Sequence, residues 1–311
     1  MKVRIDITSA IFRNRKTADA RANFTAMQQA AARYGFELGM QLHNSADDAE
    51  VKLARSLQTP LSFHAPVGNP WNINLAAADA STAWEELQDN AERMRDCQAT
   101  MAVFHAFIMT DKPIPAFGRG RSYMECMQRA FRPELSFDGS DCHCGNFFAL
   151  PEYRLRQQRL KERLAELRQR YPDLTFCVEN DFPTFGAGNL LADQLNFLEH
   201  PVCLDTSHLW CTAGLFELDY HREIEKFLAG QRVQMVHLHA SSYPRHTPRT
   251  LWWDGHLPLR TPNEMDLPRI VAACRQYRVA YFVLEISDAT VEDIDYLAEM
   301  WQHAASGKDT R

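Results

Sequence analysis

Metal-binding side chains stand at the ends of a series of short apolar segments in this chain. The segments read LSFHAP, MAVFHAF, TFCVEND, VCLDTSH, VQMVHLHA and YFVLEIS, and an Asp-Gly-His triplet lies between the last two. The candidate ligands are His64, His105, Glu179, Asp205, His208, His237, Asp254, His256 and Glu285. Imidazoles and carboxylates bind Zn, Mn or Fe. Because the same residue types recur at matching places, we predict one site that collects them.

The apolar segments alternate with segments of helical period. The strand-like runs lie near 3–9, 37–43, 61–66, 101–107, 175–181, 201–208, 233–240 and 280–287, and the helical ones near 18–33, 82–97, 152–170, 219–228, 266–277 and 291–303. Continuous apolar runs in strict alternation with helices predict parallel strands covered on both faces. We therefore predict an α/β fold, a (β/α)8 TIM barrel, in one domain over 1–311. Strand C-termini of such a barrel open onto one face, where active sites form.

Length and composition fit this prediction. A chain of 311 residues with 45% apolar composition buries a large core, and the net charge of −6 gives no support for nucleic-acid binding. We find neither a secretory leader nor an apolar run of about 18 residues, so we expect a cytoplasmic protein with no membrane partner. The eight scattered cysteines favour reduced core thiols over a disulfide framework.

Two long loops are expected at the barrel mouth. The segment 108–150, after strand four, is predicted to be an inserted lid or wall, with a packing elaboration as the alternative. It contains Cys142-His143-Cys144, whose spacing favours a Cys-rich loop over a structural zinc site. The second loop is 241–265, after strand seven. Candidate substrate-binding residues of these loops and of the early loop 67–73 are Arg119, Arg121, Arg245, Arg249, Arg260 and Trp71.

The ligand motifs as a set resemble those of the xylose-isomerase-like barrel superfamily, and most closely its endonuclease IV (AP endonuclease family 2) branch. The matching motifs are a His on strands three and four, E-N on strand five, L-D-T-x-H on strand six, H-L on strand seven, D-x-H and L-E. The resemblance implies up to three divalent ions, zinc or else Mn or Fe. It implies that His64, His105 and Glu179 hold one ion and that Glu179 bridges to a second. The second shares Asp205, His237 and Glu285, and the third has His208, Asp254 and His256.

Clustered ions of this kind favour hydrolysis of a phosphoester on a small phosphorylated or phosphodiester substrate. The alternative is a sugar or sugar-phosphate isomerase or epimerase, which would use one ion and take Glu179 and Glu285 as proton-transfer groups. A redox iron enzyme and a barrel that only binds ligands are two further hypotheses.

Some residues depart from the endonuclease pattern. His239 stands two residues after His237, so it should point to the same side and bind substrate, add a ligand or act in catalysis; a hydrogen-bonded rim residue is the alternative. Arg260 follows Asp254-Gly-His256 where relatives have a Gly-rich turn. Trp71 is the one evident wedge for DNA in 67–73, so we expect a small-molecule substrate rather than nucleic acid.

Overall fold

A computed structural model of the chain describes residues 1–13, 15–118, 120–145 and 147–306. Eight parallel strands form a closed barrel in sequence order. They are β1 (Arg4–Thr8), β2 (Glu37–Leu42), β3 (Leu61–Ala65), β4 (Met101–Phe104), β5 (Thr175–Glu179), β6 (Val202–Asp205), β7 (Val233–His237) and β8 (Tyr281–Leu284). Each strand lies within its predicted segment, and the predicted TIM barrel is confirmed.

Helices surround the barrel. Over the described residues they are α1 (Thr17–Arg33), α2 (Asp48–Arg55), α3 (Ser81–Asp96), α4 (Tyr123–Met127), α5 (Pro151–Arg170), α6 (Ala192–Phe197), α7 (Thr206–Leu215), α8 (Tyr220–Ala229), α9 (Leu267–Gln276) and α10 (Val291–Ser306). The sequence did not predict α2, α4, α6 or α7. Three of these are short, and α7 is buried along almost its whole length, so it lacks the one-sided apolar pattern of a surface helix. None of the described helices combines the length and apolar character needed to cross a bilayer.

The strand period places the candidate ligands on the inner face of the barrel. Side chains alternate between faces, so Glu179, Asp205 and His237 share a face with the residues two positions before them. Those residues, Cys177, Cys203 and Met235, are fully buried and form an apolar cluster with Val103 and Val283. This cluster fills the barrel beneath the polar strand ends.

The segment between β4 and α5 is mostly irregular, with α4 as its longest helix. Its apolar side chains form a small cluster with Phe185, while Leu135, Cys144 and Phe147 join the main core. In the Cys-His-Cys triplet, Nε2 of His143 donates to the carbonyl oxygen of Trp252 (3.0 Å). The backbone N–H of Cys144 donates to the carbonyl oxygen of Pro183 (2.9 Å). The triplet therefore joins the segment between β4 and α5 to the loops after β5 and β7.

Candidate metal centre

The candidate ligands on β3 to β8 meet around Glu179 at the end of β5. Oε2 of Glu179 lies 3.1 Å from Nε2 of His64 and 3.4 Å from Nε2 of His105, and its Oε1 lies 2.6 Å from Nδ1 of His237. Oε1 of Glu285 is 3.5 Å from Nδ1 of His237. Glu179 and His237 are fully buried, so the centre of the group lies within the barrel mouth.

Asp205 serves both the fold and the site. Its Oδ1 accepts the backbone N–H of His208 (2.7 Å) and so caps the start of α7. Its Oδ2 faces Nδ1 of His237 at 3.7 Å. The apolar run 201–208 was predicted as one strand, but the strand ends at Asp205 because this cap begins a helix at Thr206.

The loop after β7 brings Asp254 and His256 into the same group. Oδ2 of Asp254 lies 3.2 Å from Nε2 of His208 and 2.5 Å from Nε2 of His256. Nδ1 of His256 lies 3.8 Å from Oε2 of Glu285, which connects this pair to the group around Glu179. All nine predicted ligands are thus neighbours in one continuous cluster.

Three histidines present Nε2 to the cluster because Nδ1 is held by an acceptor outside it. Nδ1 of His105 donates to Oδ1 of Asp181 (2.8 Å), that of His208 to the carbonyl oxygen of Asn180 (2.8 Å), and that of His256 to the carbonyl oxygen of Glu285 (2.9 Å). An imidazole with its proton fixed on Nδ1 has its lone pair on Nε2. Partners of this kind orient metal-binding histidines.

His239 has the opposite arrangement. Its Nδ1 accepts the backbone N–H of His256 (3.1 Å), so in the neutral ring the proton is on Nε2, which donates to Oδ2 of Asp205 (3.2 Å). Its ring stacks on that of His256, with centroids 4.4 Å apart. This geometry suits a hydrogen-bond donor that orients Asp205 better than the extra ligand that the sequence left open.

The cluster has the properties of a cation site. Buried atoms without a hydrogen-bond partner among the described residues include Oε2 of Glu179, Nε2 of His237, Nδ1 of His64, Oδ1 of Asp254 and Oε1 of Glu285. Leaving such atoms unpaired costs about 1–3 kcal/mol each. Atoms bound to one ion at about 2.0–2.3 Å lie about 2.8–3.8 Å apart, and most nitrogen–oxygen separations in the cluster fall in that range. The residues therefore fit divalent metal.

Without metal, the cluster compensates its charges by protonating histidines. Burial opposes the charged form, but the carboxylates of Glu179 and Glu285 raise the pKa of His237 to about 9. Burial also opposes ionisation of Glu179, yet the imidazoles of His237, His105 and His64 hold its pKa well below the usual range. The carboxylate of Glu179 is therefore ionised and able to bind cations at neutral pH.

A cavity of about 230 Å³ opens beside the cluster. His64, His105, His208 and Glu285 line one part of it, and Phe117, Tyr123 and Met127, from the segment between β4 and α5, line another. His43 and Asp181 also line it, and sequence reasoning missed both. The signal for His43 was present, because it ends the apolar run of strand two as His64 ends that of strand three.

Among the described residues, none of the predicted substrate-binding residues lines this cavity. Arg119 lies outside the described residues. Arg249 pairs with Glu217, Arg260 pairs with Glu299 at 2.8 Å, and Arg245 stacks on Trp210. The remaining two are Arg121, which is exposed, and Trp71, whose backbone forms a bridge to Pro115.

Comparisons with known proteins agree with the fold. The family model described as a xylose isomerase-like TIM barrel matches residues 20–304. No curated protein matches the chain. Among solved structures, an L-ribulose 3-epimerase has 14% identity, covers 100% of this chain and 99% of its own, and has a TM-score of 0.56. The TTHB071 protein from Thermus thermophilus, soaked with ZnCl2, has 18% identity, 99% and 100% coverage, and a TM-score of 0.53. An AP endonuclease, family 2, from Brucella melitensis has 14% identity, 96% and 98% coverage, and a TM-score of 0.52. At these identities the likeness to the solved structures is one of fold.

Proposed function

Because the chain belongs to the xylose isomerase-like TIM-barrel family, we propose that it is a metal-dependent hydrolase that cleaves a phosphoester of a small substrate at a multinuclear site. The observation that carries the proposal is the position of Asp254 and His256 in the same cluster as Glu179. A single-ion isomerase would have no need of these two residues as ligands.

The number and charge of the side chains support more than one ion. Zinc accepts four ligands and larger divalent ions about six to eight, whereas nine side chains meet here. The carboxylates of Glu179, Asp205, Asp254 and Glu285 together have a formal charge of −4, which two divalent ions would neutralise. Glu179, Asp205, His239 and Glu285 each belong to two of the candidate ligand groups. Of these, the three carboxylates have two oxygens each and are suited to bridge ions.

Ions held by these groups would activate water and neutralise charge on the phosphate. The protein's own contribution is orientation. Asp181 and the Asn180 carbonyl fix the rings of His105 and His208, and Nε2 of His239 holds Oδ2 of Asp205. The hydroxyl groups of Tyr123 and Thr184 form a hydrogen bond of 2.9 Å. This bond would hold the insertion against the loop after β5 and limit access of water to the cavity. In this role the insertion is the proposed lid or wall.

The test is to measure metal content and phosphoester cleavage together. We expect two or three divalent ions per chain, and hydrolysis of bis(4-nitrophenyl) phosphate that a chelator abolishes and Zn or Mn restores. His105→Ala should lower both metal content and hydrolysis, the latter by at least about tenfold, because it removes an oriented ligand. His246→Ala is the matched control, since His246 is exposed and lies outside the cluster.

A sugar isomerase or epimerase is the second candidate. It is favoured by Nδ1 of His237, which lies 2.6 to 3.7 Å from oxygens of Glu179, Glu285 and Asp205, the set that a single ion would need. Glu179 and Glu285 would then transfer protons at a carbon next to a carbonyl. One ion per chain, together with deuterium exchange into a ketose that survives His105→Ala, would contradict the hydrolase and support this candidate.

A further inference from the structure

His43 is a cavity residue outside the metal cluster. It follows β2 and lies on the cavity wall beside His64, whose ring centroid is 6.3 Å away. Phe117 of the insertion contacts its ring edge-on, with centroids 6.0 Å apart. None of the candidate ligand groups includes His43. Its role must therefore be derived from its own contacts.

The contacts of Nδ1 fix the tautomer of His43. The backbone N–H of Ser45 donates to Nδ1 at 3.2 Å, and Nη1 of Arg13 lies 3.5 Å from it. Both groups can only donate, so Nδ1 has the lone pair. Oγ of Ser45, 2.7 Å from Nδ1, itself accepts from Nη1 of Arg13 at 2.7 Å and is thus free to donate to the ring. The neutral ring has its proton on Nε2.

A series of hydrogen bonds on the Nδ1 side of His43 supports this tautomer. Arg13 forms two hydrogen bonds to Glu50, at 3.0 and 3.1 Å, which keep its guanidinium directed at Ser45. The insertion packs on the same place, because a Cβ added at Gly118 would clash with Cβ of Ser45. Arg13, Ser45 and Glu50 are therefore positioning residues for His43.

Nε2 of His43 has no hydrogen-bond partner among the described residues, and the ring borders the cavity. Several other cavity residues are apolar, among them Phe107, Phe117, Met127, Phe182 and Trp253. No Lys or Arg lines the cavity within the described part of the chain. Asn44, Asn72 and Tyr123 add neutral polar groups to the wall. An oriented N–H in such a wall recognises an uncharged acceptor oxygen, whereas a distal anion would find no Lys or Arg to pair with.

We propose that His43 donates its Nε2–H to a carbonyl, ether or hydroxyl oxygen on the uncharged, largely apolar body of the substrate, whose reacting group lies at the metal cluster. This inference rests on the proposed function for the placement of the reacting group. It assigns substrate selection to β2 and the insertion rather than to the arginines of the outer loops. The class it selects is a small molecule with one charged or polar reacting end and a neutral remainder.

The first test reads the tautomer directly and needs no turnover. Two-bond proton–nitrogen correlation spectra of protein with isotope-labelled histidine distinguish a protonated Nε2 from a protonated Nδ1. We expect His43 to be the neutral Nε2–H form with and without Zn. Ser45→Ala should introduce a measurable fraction of the Nδ1–H form, whereas the exposed control Ser56→Ala should not. An Nδ1–H tautomer in the wild-type protein would overturn the proposal.

The second test measures ligand affinity by calorimetry on metal-loaded protein. The probes are phenylphosphonate, its acetyl-substituted isomers, 4-carboxyphenylphosphonate, and a series of neutral ketoses. We expect His43→Phe to weaken the best acceptor-bearing probe by about tenfold, because one oriented hydrogen bond is lost, and His43→Gln to restore most of that loss. The carboxylated phosphonate should bind more weakly than its parent.

Different results would contradict the hydrolase proposal and the proposed role of His43. Binding of ketoses but not of phosphonates would contradict the hydrolase while leaving His43 to be judged on the ketose series. Equal affinities of wild type and His43→Phe for every probe that binds would overturn the role of His43 while leaving the hydrolase intact. If no probe changes the chemical shifts of His43, the proposal is likewise wrong.

Discussion

Asp181 is the residue whose replacement tests the metal centre most cleanly. It binds no predicted ion itself, yet it is buried and its Oδ1 accepts from Nδ1 of His105 at 2.8 Å. Burial raises the pKa of Asp181, with the His105 contact acting in the opposite direction. Asp181→Asn preserves size and one acceptor oxygen but removes the charge, so the effect on metal binding comes mainly through His105, the one predicted ligand that Asp181 hydrogen-bonds.

The expected loss follows from that contact. A hydrogen bond to a charged group contributes about 1.5–3 kcal/mol and a neutral one about 1 kcal/mol, so the substitution should weaken the His105 site by roughly 0.5–2 kcal/mol. The upper part of this range overlaps the roughly 10–100-fold loss of metal affinity typical for partners of metal-binding histidines. Oδ2 of Asp181 also accepts the backbone N–H of Asn189 (3.2 Å), so the metal-free variant should lose about 1 kcal/mol of unfolding free energy.

The assay is competitive zinc titration against a chromophoric chelator, with Asp173→Asn as the control. Asp173 is an exposed carboxylate that pairs with Arg95 at 2.8 Å. It precedes β5, at the opposite end of the strand from Glu179. We expect one class of site to weaken in Asp181→Asn, the others to stay within about twofold, and the control to match wild type. Unchanged affinity at every site would refute the argument that Asp181 orients a metal-binding histidine.

Three other properties of the protein can be tested separately. Glu179→Gln should lower metal content more than Asp181→Asn, because it removes charge at the centre of the cluster; full metal content by mass spectrometry would contradict a bridging role. In metal-free protein, the pKa of His237 of about 9 lies above its ordinary 6.5, so its stabilising contribution is complete below about pH 6.5 and is lost as pH rises through about 9. Denaturant titrations should show this fall, and zinc should remove it, because the bound imidazole has no proton to lose. Gly39→Ala should destabilise the protein by about 1–3 kcal/mol, since its Cβ would lie 2.7 Å from the Pro60 carbonyl oxygen; an unchanged urea midpoint would contradict that contact.

Most of the barrel was predictable because its signals are local. Alternating apolar strands and helices define the eight units, and each observed strand lies inside a predicted segment. The errors came where a local signal was absent or misleading. The run ending in His208 reads as a strand throughout, but the side chain of Asp205 caps a helix at that point. Buried α7 likewise has no polar face to mark it as a helix.

The sequence by itself determined the fold and the residue types at the barrel mouth, because strand period and strand ends are properties of neighbouring residues. Tertiary structure alone decided which nitrogen each histidine presents. His239 became a donor through the backbone N–H of His256, and His256 presents Nε2 because its Nδ1 bonds to the carbonyl oxygen of Glu285. Asp181 and His43 acquired roles through partners distant in sequence. Tautomers and cavity walls depend on contacts between chain segments that only folding brings together, so no local pattern encodes them.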